Sequence, residues 1–235
     1  MRLSVIIPSK NVDNLVPCIK AVIACEPKAE ILVIDDGLPR NPWLPEEAYL
    51  QGGPIFVLGG TKPFVFARNI NIGIHTACEN DVVLLNDDAI LEEPHGFSIM
   101  QQAAAQEPTV GLISSATNYA GNPAQLRHPQ LKAEWRLRFP GITSGNSFCT
   151  VAFVCVFIPR RTINAVGLLD ERFTAYGWED NDYCRRVVNA GLRIGVHDGC
   201  FVDHSKLKSS YRGGPAVGGQ LSEGRRIYME KWGTI

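Results

Sequence analysis

No stretch of this chain approaches the roughly 18 consecutive apolar residues that a membrane-spanning helix needs, so none is expected. The start, Met1-Arg2-Leu3-Ser4-Val5-Ile6-Ile7-Pro8, has an apolar run ended by proline and reads as a first strand rather than a leader peptide. Charge of neither sign dominates: 23 Lys and Arg against 24 Asp and Glu leave a formal net charge of −1, which argues against sequence-independent binding to a nucleic-acid duplex. The seven cysteines (18, 25, 78, 149, 155, 184 and 200) are odd in number and include no Cys-x-x-Cys pair. That argues against a disulfide framework and a zinc site, and leaves reduced, mostly buried thiols in a cytoplasmic protein. Gly59-Gly60 lacks the Gly-x-x-x-x-Gly-Lys-Ser/Thr pattern of a phosphate loop. With no internal repeat and no clean boundary, the 235 residues are expected to form one domain.

What is present is an alternation of short apolar runs with amphipathic stretches. Leu3–Ile7, Glu30–Ile34, Ile55–Leu58, Asp81–Leu85 and Val110–Ser114 read as strands. Between them a helix capped by Asp13 runs to Cys25, and Phe64–Cys78 and Pro94–Gln106 read as further helices. This order predicts an α/β fold with a mainly parallel central sheet flanked by helices. The second half, from about residue 116, is less regular. Asn118–Pro129 is loop-like, and Lys132–Phe139 alternates as a half-exposed strand would. Phe148–Ile158 is a central strand, Glu179–Ala190 an amphipathic helix, and Leu192–Val196 and Cys200–Val202 two short strands. Ser205–Gly219 is a mobile loop, and Leu221–Trp232 closes the chain as a helix.

Charged motifs follow the strands: Asp35-Asp36-Gly37, Asn86-Asp87-Asp88, and, further on, Trp178-Glu179-Asp180-Asn181-Asp182. The carboxyl edge of such a sheet is where ligands bind. Two adjacent carboxylates directly after a buried strand suit a hard, oxygen-liganded cation bridging to a phosphate.

Taken in order, a strand ending in Pro8-Ser9, Asp35-Asp36-Gly37, Ala67-Arg68-Asn69-Ile70-Asn71-Ile72-Gly73, Leu85-Asn86-Asp87-Asp88, Trp178-Glu179-Asp180 and a late Lys231-Trp232-Gly233 resemble family 2 glycosyltransferases of the GT-A fold. The resemblance spans about residues 3 to 233 and implies a nucleotide-binding half (1–115) and an acceptor-binding, catalytic half (116–235). It implies that Pro8 and Ser9 line the nucleotide base, that Asp36 or Asp35 binds the base, and that Arg68 and Asn71 contact the nucleotide. It puts Asn86-Asp87-Asp88 at the position of the family's Asp-x-Asp motif, with Asn86 replacing the first aspartate. Asp88 becomes the metal ligand, Asp87 faces the ribose or the metal's water shell, and His204 completes the metal site. Glu179 and Asp180 match the acidic motif whose aspartate is the usual base. The implied cofactor is Mn²⁺ or Mg²⁺ and the implied donor a nucleotide-diphosphate sugar, with UDP the commonest carrier. The acceptor is a hydroxyl of a glycan or glycoconjugate, as in polysaccharide biosynthesis, reached in solution or by peripheral membrane contact.

The chemistry fits the residues independently. A divalent cation offsets charge growing on a departing diphosphate, and a carboxylate such as Asp180 takes the proton of an attacking hydroxyl. One base opposite the leaving group implies inversion at the anomeric carbon. Plainer alternatives stay open. Arg68 could pair with Asp35 or Asp36, Asp36 could serve a turn, and Glu179 and Asp180 could only favour a helix start. His204 could end a strand, Trp178 could stack on an acceptor sugar or fill core, and Trp232 reads as a packing anchor. Glycines 213, 214, 218 and 219 could hinge a lid that brings Lys206, Lys208 or Arg212 to phosphate. An inactive nucleotide- or glycan-binding module and a sugar-phosphate nucleotidyltransferase are the competing functions.

Overall fold

The computed structural model describes residues 2–39, 52–127, 136–141, 149–174, 177–205, 209 and 217–233. Nine strands form a single sheet: β1 (Leu3–Ser9), β2 (Glu30–Asp35), β3 (Ile55–Gly59), β4 (Asp81–Leu85), β5 (Ile90–Leu91), β6 (Val110–Thr117), β7 (Leu137–Arg138), β8 (Cys155–Ile158) and β9 (Arg193–Asp203). Their order is β3-β2-β1-β4-β8-β6-β9-β5, with β7 also on β9. Among the described residues six α-helices accompany them: α1 (Val12–Cys25), α2 (Phe66–Thr76), α3 (Gly96–Gln106), α4 (Arg160–Val166), α5 (Glu179–Asn189) and α6 (Val217–Trp232).

The first half follows the expected winding. Strands β3, β2, β1 and β4 are parallel neighbours, joined by α1 and α2. Alternate residues of these strands feed two cores, one per face of the sheet. Val5, Ile7, Ile31 and Val33 pack on the side of α1 and α3. Ile6, Leu32, Ile34, Val82 and Leu84 pack on the side of α2, α5 and α6. Both faces of β1, β2 and β4 are covered, so these strands are apolar along most of their length, while β3 at the sheet edge leaves Phe56 and Val57 exposed. The helix start differs by two residues from expectation: Asn11 caps α1 by accepting from the Asp13 backbone N–H at 2.9 Å, and Asp13 lies in the first turn.

The second half makes the sheet mixed rather than mainly parallel. β8 inserts antiparallel between β4 and β6, and β5 and β7 run antiparallel to β9, while β6 and β9 are parallel. Two expected strands differ in extent. The apolar segment before Cys155 is not strand, because buried side chains take its backbone groups. The Gln125 amide bonds both Ala152 N–H and Ala152 C=O, and Asn122 donates to Thr150 C=O. Conversely, the two short strands expected around His197 are one continuous β9, with a register shift against β6 between Ser115 and Ala116. A bulge absorbs the polar interruption without ending the strand.

Candidate functional site

Strands β1 and β4 are adjacent and parallel, so the residues after them emerge at one edge. Asp87 is buried there, and Ser9 Oγ donates to Asp87 Oδ2 at 2.6 Å. The chain then crosses to β5, whose Ile90 pairs with Asp203 at the end of β9. That antiparallel register carries residue 88 across the sheet edge to residue 204. His204 Nε2 lies 3.2 Å from Asp88 Oδ1, and both side chains are buried.

The orientation of His204 is fixed from behind. Its Nδ1 is 2.8 Å from the Tyr119 carbonyl oxygen, which can only accept, so Nδ1 carries a hydrogen. The backbone N–H of His204 donates to Asn118 Oδ1, and Asn118 Nδ2 donates to Asp203 Oδ1. In the neutral ring, Nε2 therefore presents a lone pair toward a carboxylate oxygen. Two lone pairs this close need a positive charge between them, and a divalent cation fits the donor set. Among the described residues no group of three or more His, Cys, Asp or Glu side chains could hold a metal by itself. An open pair suits a cation whose other positions are filled by ligand oxygens and water.

A cleft of about 460 Å³ opens over this pair. Pro8, Lys10, Asn86, Asp87, Asp88 and His204 form its floor toward β1 and β4, and Gly177, Trp178, Glu179, Asp180 and Asn181 contribute another part of its lining. Phe64, Phe66, Phe153, Val154 and Leu221 add apolar wall. α5 begins at Glu179 behind Trp178, which sits in the left-handed region (φ 77°), a conformation that costs a non-glycine residue about 1–2 kcal/mol. Strain of this kind persists where surrounding structure enforces it, and such positions cluster at functional sites. Glu179 Oε2 is closed off from solvent and has no hydrogen-bond partner. Burial, reinforced by the neighbouring charge of Asp180, pushes the Glu179 pKa up to about 8. This favours the protonated form of Glu179. Asp180 Oδ1 accepts from the Asn181 backbone N–H at 2.8 Å and from Asn181 Nδ2 at 3.2 Å.

The other sequence-selected residues stand away from the cleft lining. Asp35 Oδ1 accepts from the backbone N–H groups of Gly37 and Leu38, both at 2.7 Å, closing a turn in which Gly37 has φ 108°. Asp36 is buried and paired with Lys62 Nζ, which also bonds the Asp36 carbonyl. The alternative of Arg68 pairing with these aspartates is not seen. Arg68 Nε instead meets Glu171 Oε2 at 3.2 Å. Asn71 is buried and bonds Glu171 Oε1 and both backbone groups of Leu169, at 3.0 Å each. Arg68 and Asn71 thus hold the segment before Thr174, a cleft residue, against α2. Ser9 acts beneath the floor, through Asp87. Trp178 lines the cleft and also packs on Tyr228, with ring centroids 5.2 Å apart.

Sequence reading passed over Lys10, Phe64, Phe66, Thr174 and Asn181, which all line the cleft. Asn181 lies inside a motif and Phe66 at the helical spacing of a core position; the others carry no periodic or spacing signal. Lys206, Lys208, Arg212, Gly213 and Gly214 lie outside the described residues, while Gly218 and Gly219 belong to the first turn of α6 rather than to a loop.

Comparison with known proteins identifies the family and the fold. The sequence matches the family described as Glycosyl transferase family 2 over residues 4–160. The fold is similar to that of GalNAc-T7, solved with UDP, GalNAc and Mn²⁺: TM-score 0.73, 16% identity, covering 99% of this chain and 48% of that one. It is also similar to the mannosyltransferase PcManGT from Pyrobaculum calidifontis, in complex with GDP-Man and Mn²⁺: TM-score 0.65, 18% identity, covering 89% of this chain and 58% of that one. Among curated sequences, an uncharacterized protein, y4gI of Sinorhizobium fredii, is 26% identical over 177 residues, which cover 69% of this chain and 19% of that protein. The chain therefore spans about half the length of the solved relatives and a smaller share of the curated one. By sequence over most of its length, and by a mixed α/β sheet of the GT-A type, the chain belongs to glycosyl transferase family 2.

Proposed function

We propose that this chain transfers a sugar from a nucleotide-diphosphate donor, with UDP the first carrier to test, to a hydroxyl of a glycan or glycoconjugate acceptor, with inversion. The observation that carries this reading is the meeting of His204 Nε2 and Asp88 Oδ1, 3.2 Å apart, on the floor of the cleft that Asp180 also lines. Asp88 and His204 would hold Mn²⁺ or Mg²⁺, and the bound cation would supply charge compensation for the leaving diphosphate. Ser9 keeps Asp87 turned away from solvent and ready to accept a hydroxyl or a water of the bound donor.

Asp180 is the candidate base. Burial and the neighbouring Asp180 charge favour the protonated form of its neighbour Glu179, which suits Asp180 to the role of the ionised partner. An ionised Asp180 can take the acceptor hydroxyl's proton as attack proceeds, a contribution of about 10²–10⁴-fold. Phe64, Phe66 and Leu221 give the cleft an apolar wall against which a sugar ring could pack. A reducing, cytoplasmic setting belongs to the same proposal, and all seven cysteines are free. No described helix is long and apolar enough to cross a membrane.

The test is a panel of UDP-glucose, UDP-N-acetylglucosamine, GDP-mannose and dTDP-glucose with Mn²⁺, reading release of the nucleoside diphosphate with and without simple glycan acceptors. Release that requires Mn²⁺, rises with an acceptor and falls about 10²–10⁴-fold in Asp180→Asn is expected. Binding of nucleotide with no donor consumed would turn the reading to an inactive binding module. Pyrophosphate made from a nucleoside triphosphate and a sugar phosphate would turn it to a nucleotidyltransferase.

A further inference from the structure

Helix α5 starts on a residue that does not cap it, and its local hold is confined to the Glu179 and Asp180 carboxyls, the latter accepting from the Asn181 backbone N–H. Its N-cap is Trp178, whose side chain makes no capping hydrogen bond, and Trp178 is itself strained at φ 77°. A first turn of this kind frays unless something outside the helix holds it. Among the described residues, contacts from outside the helix come from α6. Gly224, Tyr228, Lys231 and Trp232 recur at helical spacing and share one face. At Gly224 a Cβ would stand 2.5 Å from the Gly177 carbonyl oxygen and 3.0 Å from Trp178 Cδ1, so the absence of a side chain is what admits the turn. Tyr228 packs its ring on Trp178. Lys231 Nζ and Trp232 Nε1 both reach Asp182 Oδ1, at 2.7 and 2.9 Å.

Asp182 is fully buried and also takes Arg186 Nε on its other oxygen at 2.9 Å. It lies two residues after Asp180, so on a helix the two side chains point to nearly opposite sides. Asp180 faces the cleft because Asp182 faces α6. Lys231 extends the hold by bonding Asp170 Oδ2 at 2.7 Å, which ties the segment before Thr174 to the same point.

We propose that α6 sets the position of Asp180, with Gly224 admitting the turn at Gly177–Trp178 and Lys231 and Trp232 fixing its rotation through Asp182. These are positioning residues: none of the three touches the reacting atoms. The inference rests on the reading of Asp180 as base, and α6 acts on it without acting on the nucleotide floor at β1 and β4.

Two variants test this by different physics. Gly224→Ala removes a helix-breaking residue, which favours α6 itself, while its methyl group displaces the turn. Lys231→Met keeps the length of the side chain and removes the cation, and Lys231→Arg is the rescue. Binding-competent sites are counted by titration with UDP and Mn²⁺, so unfolded protein does not enter the rate. Turnover is UDP release from the UDP-sugar of the panel that wild type consumes. Expected for Gly224→Ala and Lys231→Met is a fall in kcat per nucleotide-binding site of about tenfold to hundredfold, as for a displacement of about 1 Å, with donor KM held within twofold. Lys231→Arg should return most of the rate. Hydrogen exchange should rise in peptides covering residues 177–183 and stay unchanged in β1 to β4.

A kcat within twofold of wild type in both variants, while Asp180→Asn abolishes release, would overturn the inference and leave the base assignment standing. Unchanged exchange at residues 177–183 would overturn it too, whatever donor is used. Full release by Asp180→Asn would instead remove the base assignment, and this inference with it.

Discussion

His204 Nε2 stands 3.2 Å from Asp88 Oδ1 while His204 Nδ1 is bound 2.8 Å from the Tyr119 carbonyl oxygen. The second contact decides the chemistry of the first. A ring that must donate from Nδ1 can meet a carboxylate through Nε2 only with a proton or a cation between them. With a divalent cation in that place, as proposed, nucleotide binding should depend on metal. With UDP, GDP or dTDP in turn, wild type should show a thermal shift for one of them that needs Mn²⁺. That shift corresponds to about 2.7 kcal/mol at 100 times the dissociation constant. Asp88→Asn should lose the metal-dependent part, so that EDTA no longer changes its melting point. An Mn²⁺-dependent shift of full size in Asp88→Asn would rule out this pair as the metal's holder.

Glu179 ties the cleft to pH. Its carboxyl titrates near the ordinary 4.5 in the unfolded chain and near 8 in the fold, because burial and Asp180 disfavour the charged form. Between those values the folded state holds a proton that the unfolded state has lost, so this group's contribution to stability falls as pH rises from about 4.5 to about 8, then levels. Glu179→Gln imitates the protonated form. It should melt above wild type at pH 8.5, with the gap closing toward pH 4.5. Melting curves across that range decide it, and a gap that does not change with pH would show that Glu179 ionises normally.

Asn71 separates two roles for one motif. In the fold its amide bonds the backbone N–H and C=O of Leu169 and the Glu171 carboxylate, all at 3.0 Å, and it is absent from the cleft lining. Asn71→Ala should cost about 2–3 kcal/mol, the sum of bonds lost from buried groups. UDP affinity in the presence of Mn²⁺ should stay within about threefold, measured by calorimetry on the folded variant. A tenfold or larger loss of affinity with normal stability would instead make Asn71 a nucleotide contact.

The thiols give a check on the packing. Cys18, Cys25, Cys155, Cys184 and Cys200 are buried and Cys149 is half-buried, its thiol pushed up to about 11 by burial, while Cys78 is exposed. Thiolate is the reactive form, so a disulfide reagent at pH 8 should label one thiol fast and the rest only on unfolding. Cys78→Ser should remove the fast phase. A fast phase from two or more thiols would mean that the core cysteines are reached in the native state.

Much of this was legible in the chain. Apolar runs of strand length after helical periods placed β1 to β4 and α1 to α3 within a few residues, because burial on both faces leaves a signal that needs no partner. The motif residues Asp87, Asp88, Glu179, Asp180 and His204 do line one cleft. Legibility failed where a residue's role depends on what lies across from it. Phe148–Ile158 is apolar but for Thr150, yet of its described residues only Cys155–Ile158 pair as strand, since the buried amide of Gln125 takes the backbone at Ala152. Asp182 looked like a continuation of an acidic helix start, and it is the buried acceptor for Arg186, Lys231 and Trp232.

Sequence by itself determined the local terms: where strands and helices lie, which residues are too polar to be core, and that carboxylates follow strand ends. Those follow from periodicity and side-chain chemistry along a few neighbouring residues. Tertiary structure decided the pairing: that β8 enters antiparallel, that Ile90 pairs with Asp203 and so carries Asp88 to His204, and that α6 closes on the turn before Asp180. Such contacts join residues up to 116 positions apart. Their register is set by packing and by the matching of buried polar groups, which no local pattern encodes.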